Sequence, residues 1–600
     1  MSESPFLPPD SRAQASAPAM SAKQRRRSIT LPCFVLIILW GVPILLQKTS
    51  PDSVVGFFFG ALGLPILCLL MVMAYWLTQK SISRNQRWSV CAVLLLLLII
   101  VSLVAHRSMS IMTLVMYGSP ASVTAMAVWL LLSRTWPSTV RSFGMVTVSG
   151  LIGLIFCMLR VHGVTGSFAA EFDWRWNASP EERLIASKGT QPDVSGTSAD
   201  LTTGKSEKTW TLQATDWPEF RGPRRNSIIH GSQLRTDWSA NPPREIWRQP
   251  IGPGWSSFCV VDGSVFTQQQ LGPEEQVVCL DAATGETVWL HSEPSRFEEP
   301  VAGAGPRGTP TFSDGWLYAQ GAAGMLLCLD AATGRLRWRK DLAADFGAKP
   351  PEWGFSASPL LYQGLVIVFT GVKDKAVVAM RADTGELAWC GGTGALSYCS
   401  AQVSTIAGED QILFCTDTGL LAFAPVNGRL LWQHDWPTGG VARIVQPHVL
   451  KNDDLLIGTG LGVGLRRIHV TRSGTGFSTS EVWTTTRCKP YFNDFVVLDD
   501  HLYGFDGTIL MCVSLDQGDV QWRARGYGSG QALLLADQKL LLIISETGEL
   551  SLVKAASDRH VVLSKFKAID GKTWNHPVLV GHQIFVRNGA EAACFALPAE

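Results

Sequence analysis

Asp494 stands in the run Tyr491-Phe492-Asn493-Asp494. A carboxylate in such company can take a proton from a substrate hydroxyl or ligate a cation. Asp506 has the same two options, and a turn or surface position is the alternative for both. Stretches of similar character recur through the second half of the chain: Trp255 with Phe258, Arg307, Trp353 with Phe355, Tyr398, Gln446, Gln531, and Trp574-Asn575-His576, with Arg587 close behind. Aromatic faces with a few amides and one arginine suit a flat, anionic, aromatic ligand or an extended peptide. Arg587 would supply charge-assisted hydrogen bonds, and Trp353 or Trp574 a stacking face. The structural alternative is that these residues only cap crowded strand ends. His576 has no spaced partner, which is the pattern of a hydrogen-bonded core histidine. No histidine–carboxylate cluster has zinc spacing, so no metal site is expected.

What must position these residues is a repeat. Val277-Val-Cys-Leu-Asp-Ala-Ala-Thr-Gly-Glu-Thr-Val-Trp289 returns at 326–338, and weaker copies fill 377–389, 421–432 and 510–522. An apolar strand, an Asp-x-x-Thr-Gly turn and a second strand ending on Trp describe a hairpin. Asp bonds its own backbone, and Gly takes the positive φ. Tryptophans 289, 338, 389, 432, 483 and 522 lie 39 to 51 residues apart. A period of about 40–50 residues with several short strands per unit is that of a β-propeller blade.

Eight inner strands can be located, at 256–261, 309–313, 356–362, 399–405, 443–449, 493–499, 530–535 and 576–580. The chemistry-bearing residues lie at or just ahead of these strands, so eightfold closure would gather them at one end of a common axis. The last blade lacks an outer strand. Residues 244–248, with Trp247 in the outer-strand position, are expected to supply it and close the ring. Blade seven has no outer tryptophan, and Phe566 is its expected substitute.

Upstream stand five apolar stretches, at 30–47, 54–77, 90–105, 110–133 and 143–161; most meet the bilayer's requirement of about 20 residues, the third being short and the fourth interrupted by Gly118, Ser119 and Pro120, as is common in membrane helices. Lys23, Arg25, Arg26, Arg27, Lys80, Arg84, Arg87, Arg134 and Arg141 flank one side, against Lys48 and Arg107 on the other. This asymmetry predicts a cytoplasmic N-terminus and an extracytoplasmic C-terminal domain in the inner membrane. The expected organisation is a disordered tail (1–29), a five-helix membrane domain (30–161), a short helix and flexible linker (162–216), and an eight-bladed propeller (217–600). A hydrophobic content of 46% agrees with a membrane chain, and a net charge of +1 gives no reason to expect a nucleic-acid partner. Of thirteen cysteines, four fall in the spans and nine in the repeats. Cys279, Cys328, Cys512 and Cys594 occupy equivalent positions, too far apart on a ring to pair. Cys390 and Cys399 are the one candidate pair.

The Asp-Ala-x-Thr-Gly-x-x-x-Trp units resemble the pyrroloquinoline quinone (PQQ) repeat of quinoprotein dehydrogenases and of the outer-membrane assembly propeller lipoprotein. Trp217-Pro-Glu-Phe-Arg-Gly-Pro223 resembles the opening motif of membrane-anchored PQQ-like propellers of planctomycete type. Five helices ahead of such a propeller are similar to the membrane-bound glucose dehydrogenase, which passes electrons to quinone. The resemblance implies PQQ with calcium as the cofactor to consider. Against it, the chain has no adjacent cysteine pair, no Cys-x-x-Cys-His haem site, lean blades, and no match to the family's Glu–Asn–Asp calcium-and-base set. Two functions follow. One is a membrane-tethered module that binds an unknown protein or small molecule. The other is a quinone-dependent alcohol or sugar dehydrogenase with Asp494 as its base.

Overall fold

The computed structural model describes residues 22–49, 59–80, 82–167, 169–188, 208–474 and 476–599, in two compact units, Met1–Arg160 and Val161–Glu600. Most of the expected disordered tail and of the flexible linker lie outside the described residues.

Among the described residues of the first unit, five helices are long and apolar enough to cross a bilayer, with spans at Ile29–Leu46, Phe59–Leu77, Arg84–Val104, Ile111–Leu132 and Ser138–Met158. The first helix already begins at Ala22. The third starts six residues ahead of its expected position, because the Ser83 side chain accepts from Gln86 N at 3.3 Å and caps it. That helix buries only Val90 and exposes Leu95, Leu96, Leu98 and Leu103. An apolar outer face of this kind fits a hydrocarbon solvent.

The second unit carries eight antiparallel sheets in chain order. Blade one is Cys259–Val261, Ser264–Leu271, Glu274–Asp281 and Thr287–Glu293, and the next seven repeat this pattern. Blade eight is closed as expected: Arg244–Pro250 pairs with Glu591–Ala596, with Trp247 opposite Cys594. Blade seven gains a fifth strand, Ile228–Ile229, parallel to its inner strand Gln531–Leu535. Inner strands begin one to five residues later than expected, for instance at Leu360 and His448. The residues ahead of them leave the ladder to bond around the axis.

The repeated phrase works between blades. The indole N–H of Trp247, Trp289, Trp338, Trp389, Trp483 and Trp522 donates to a carbonyl of the next blade's turn, at Ala282, Ala331, Ala382, Pro425, Leu515 and Ala556 respectively, at 2.8–3.1 Å. In all but Trp522, whose partner turn has no glycine, the ring lies on that turn's glycine: a Cβ on Gly334 would stand 2.4 Å from Trp289. Gly334 also has φ +71°, so it is required twice over. Trp432 faces a blade without such a turn, and donates instead to Gln411 Oε1 of its own blade at 2.6 Å.

Phe566 does not substitute for the missing tryptophan. Ser564 holds that register position, opposite Leu552, and Phe566 stands opposite Leu550. Ser564 Oγ accepts from Trp238 N at 3.0 Å, and the buried Trp238 ring packs edge-on against Phe566. A tryptophan from the N-terminal segment thus covers the gap. All thirteen cysteines are free thiols, Cys390 and Cys399 included. Burial pushes Cys279, Cys328, Cys512 and Cys594 up to about 12, where they act as small apolar groups.

Candidate functional site at the propeller axis

A continuous belt of hydrogen bonds runs around the axis just ahead of the inner strands. Ser257 N donates to Thr309 Oγ1 at 3.0 Å, Thr309 N to Ser358 Oγ at 2.9 Å, and Ser358 N to Ser400 Oγ at 2.8 Å. Gln446 spans two junctions, with Nε2 donating to Ser400 O at 3.3 Å and its N to Asp494 Oδ1 at 3.0 Å. Asn493 Nδ2 donates to Gly530 O at 2.6 Å, and Gln531 Nε2 to Trp574 O at 2.9 Å. Asn575 Nδ2 to Ser256 O at 2.7 Å and Ser257 Oγ to His576 O at 2.6 Å close the circle. Eight junctions are each bonded at least once.

Below this belt the chain fills its own axis with residues 217–229. Trp217 bridges to Val260 of blade one, and Pro218 O accepts from Phe312 N of blade two. Arg225 donates to Ser358 O and Pro359 O of blade three, both at 3.1 Å, and pairs with Glu219 at 2.6 Å. Arg221 reaches the opposite wall, donating to Asp494 Oδ1 at 3.2 Å and Phe495 O at 2.7 Å. Phe220 packs edge-on against His576, 5.0 Å between centroids. Burial lowers the His576 imidazole to about 3, with Arg221 adding to the shift, and Nε2 stays 3.9 Å from Asp494 Oδ2. Burial raises the Asp494 carboxyl, while Arg221 and the Gln446 amide pull it back down.

Above the belt, aromatic rings cover the mouth. Trp255 meets Trp574 at 5.0 Å, Trp574 meets Phe492 at 5.0 Å, and Phe492 meets Tyr491 at 6.0 Å. Tyr491 of blade six then meets Trp353 of blade three at 5.8 Å, edge to face, and Trp353 stacks on Tyr398 at 5.1 Å. Burial raises both tyrosines, Tyr398 to about 12. Blades three and six are not neighbours, so this contact crosses the mouth.

The site residues expected from sequence therefore fall into three groups. Trp255, Trp353, Tyr398, Tyr491 and Trp574 share the aromatic cover. Gln446, Asn493, Asp494, Gln531, Asn575 and His576 lie in the belt. Arg307 and Arg587 are braces outside both. Arg587 donates to Thr267 Oγ1, Gln268 O, Gly252 O and Gly254 O, and is buried among them. Arg307 donates to Glu299 Oε1 and Gly303 O, both at 3.0 Å, and lies over the Phe297 ring. Asp506 is paired with Lys489 at 3.0 Å. Sequence reasoning missed the hydroxyls Thr309, Ser358 and Ser400, although a small hydroxyl ahead of each early inner strand was a visible pattern. It also missed Arg221 and Arg225, which lie in or beside a motif noted only as a family mark.

One further element lies at the mouth. Strands Leu159–Val164 and Ala170–Trp174 form a hairpin. Val164 N donates to Val301 O at 2.9 Å, and Lys572 Nζ donates to Val164 O at 3.0 Å. Gly166 N donates to Glu546 Oε1, which also accepts from Trp574 Nε1 at 2.8 Å. Glu171 pairs with Lys572 at 3.1 Å. Along blade seven the order is Ser529 at the hairpin tip, Gln531 in the belt, and Leu534 and Leu535 against Ile228 and Ile229.

Residues 273–524 match a family model described as outer membrane protein assembly factor BamB. No curated protein matches the chain. Among solved structures, BamB from Moraxella catarrhalis is 14% identical, covering 59% of this chain and 100% of its own, with a TM-score of 0.45. A europium-containing methanol dehydrogenase is 11% identical over 64% of this chain and 98% of its own, TM-score 0.40. The quinohemoprotein alcohol dehydrogenase ADHIIG from Pseudomonas putida HK5 is 12% identical over 64% and 81%, TM-score 0.40. With its closed circle of four-stranded units, the C-terminal unit is an eight-bladed β-propeller. Within it, residues 273–524 carry repeats of the PQQ type.

Proposed function

We propose that this protein is a membrane-anchored binding or scaffold module. On this reading the five helices cross the inner membrane, the N-terminus is cytoplasmic, and the propeller works outside the cytoplasm on a protein or small-molecule ligand. The observation that carries it is the occupied axis. Arg221 and Arg225 fill one end, and the Tyr491–Trp353 contact spans the other.

The residues do not fit PQQ and calcium as they stand. Asp494 is held by a guanidinium that stays charged and by a backbone amide, so neither a cation nor a substrate proton has access to Oδ1. Arg587 is directed at the protein's own oxygens rather than at a ligand. The aromatic cover is what favours the dehydrogenase reading, and it is equally the surface a peptide would use.

The deciding experiment is a dye-linked dehydrogenase assay on the full chain in nanodiscs, loaded with PQQ and calcium, on alcohols and aldoses. The binding-module reading expects no cofactor-dependent turnover. Turnover that is lost in Asp494→Asn would replace it with the dehydrogenase.

A further inference from the structure

The geometry points to the mouth of the axis as a receptor for peptide backbone, with the hairpin of residues 161–174 as a built-in copy of its ligand. This rests on the binding-module reading and specifies the partner class: a turn-forming peptide with glycine at its tip and a carboxylate a few residues on.

Three polar contacts between the hairpin and the mouth involve its main-chain groups. Val164 N, Val164 O and Gly166 N meet Val301 O, Lys572 Nζ and Glu546 Oε1. Backbone recognition of this kind tolerates sequence, and pockets for particular side chains then add selectivity. Two such selections are visible. A Cβ at Gly166 would lie 1.9 Å from Ser529 Oγ and 2.6 Å from Ser529 Cβ, so only glycine seats at the tip. A side-chain contact pairs Glu171 with Lys572 at 3.1 Å, which asks for an acid in the returning strand.

Glu546 and Val301 are held by hydrogen bonds within the propeller, and Lys572 lies against two of its aromatic rings. Glu546 is oriented by Trp574 Nε1 and by Ser529 N, which donates to Oε2 at 3.1 Å. Lys572 Nζ stands 4.8 Å from the Trp574 ring and 5.6 Å from Trp255. Val301 is fixed by Glu299, which accepts from Val301 N and Ala302 N and is held by Arg307. A site pre-organised in this way binds without a large ordering cost. The tethered hairpin competes at an effective concentration on the order of millimolar, so a partner must displace it.

The test uses the full chain in nanodiscs and a fluorescein-labelled synthetic peptide of residues 161–174, read by anisotropy. Gly166→Leu, whose tip cannot seat, should bind the peptide saturably and at least about tenfold more tightly than the unaltered chain. Adding Lys572→Ala should weaken that binding at least about tenfold. A second variant replaces residues 162–172 with a serine-rich linker of equal length, which vacates the mouth whatever Gly166→Leu does. If both variants keep their near-ultraviolet dichroism yet take up no peptide, the inference is overturned. It is equally overturned if they bind a peptide with leucine at the tip as well as the glycine one. Failure here without PQQ-dependent turnover leaves the binding-module reading standing, whereas turnover removes the reading itself.

Discussion

Arg221 and Asp494 meet at 3.2 Å with 2% and 5% of their side chains exposed, although 273 residues separate them. Removing one partner strands a charge inside the axis, while replacing both with apolar groups does not. Arg221→Met is expected to destabilise the propeller by about 3–5 kcal/mol, and Arg221→Met with Asp494→Leu by clearly less. Urea denaturation followed by tryptophan fluorescence would measure both. Additive losses would mean that the pair is not coupled.

Acid should weaken the same region. Burial holds His576 and His448 each at about 3, below the ordinary imidazole value of 6.5. A depressed folded value means that their contribution is fully present above 6.5 and is lost as pH falls toward 3. Asp494 is raised above 3.8, so its contribution runs the other way: present below 3.8 and lost as pH rises through the folded value. The two histidines outnumber it, and stability should drop between pH 6 and pH 4, by up to roughly 2.5 kcal/mol per histidine. His576→Phe should flatten the pH dependence of the melting temperature.

Gly334 and Gly364 separate two uses of glycine. Both have positive φ, but Gly364 has nothing within 4 Å of its Cβ position, whereas Gly334 has the Trp289 ring at 2.4 Å. Gly364→Ala should cost about 1 kcal/mol, and Gly334→Ala about 2–5 kcal/mol. Equal melting temperatures for the two variants would show that the tryptophan yields freely.

Deleting residues 591–600 removes the strand that pairs with Arg244–Pro250. The variant should expose two sheet edges and run as aggregate on size exclusion in detergent. A monodisperse product with an unchanged melting point would contradict closure by this strand.

The proposed topology has its own check. A green fluorescent protein fused after Glu600 should stay dark if the C-terminus is exported unfolded, and a bright fusion would reverse the orientation.

Much of the fold was legible because the repeat is local. Asp281, Gly285 and Trp289 fall within nine residues, and strand alternation and turn chemistry act over that distance. Phe566 was misread for a local reason too: Val553 and Val562 face each other across a turn two residues longer than the one between Leu280 and Thr287, so the tryptophan position falls on Ser564 rather than on the nearest aromatic residue. The site was legible only as a gathering of residues. Which groups Asp494 and Arg587 would bond depended on segments hundreds of residues away, with no periodicity to announce their approach.

Among the antiparallel strands of the ring, Arg244–Pro250 leaves the ribosome first and pairs with the last, Glu591–Ala596. At about 5–20 residues per second, Trp247 waits roughly 20–70 s for Cys594 to be made. Segment 217–229 waits almost as long for Phe495 and Leu534. The domain cannot be completed in halves, because its first-made pieces are the axle and the clasp of a wheel whose remaining parts do not yet exist. That interval leaves a strand edge without its mate, and the time to finish the chain, rather than the strength of any one contact, sets how long the edge stays open.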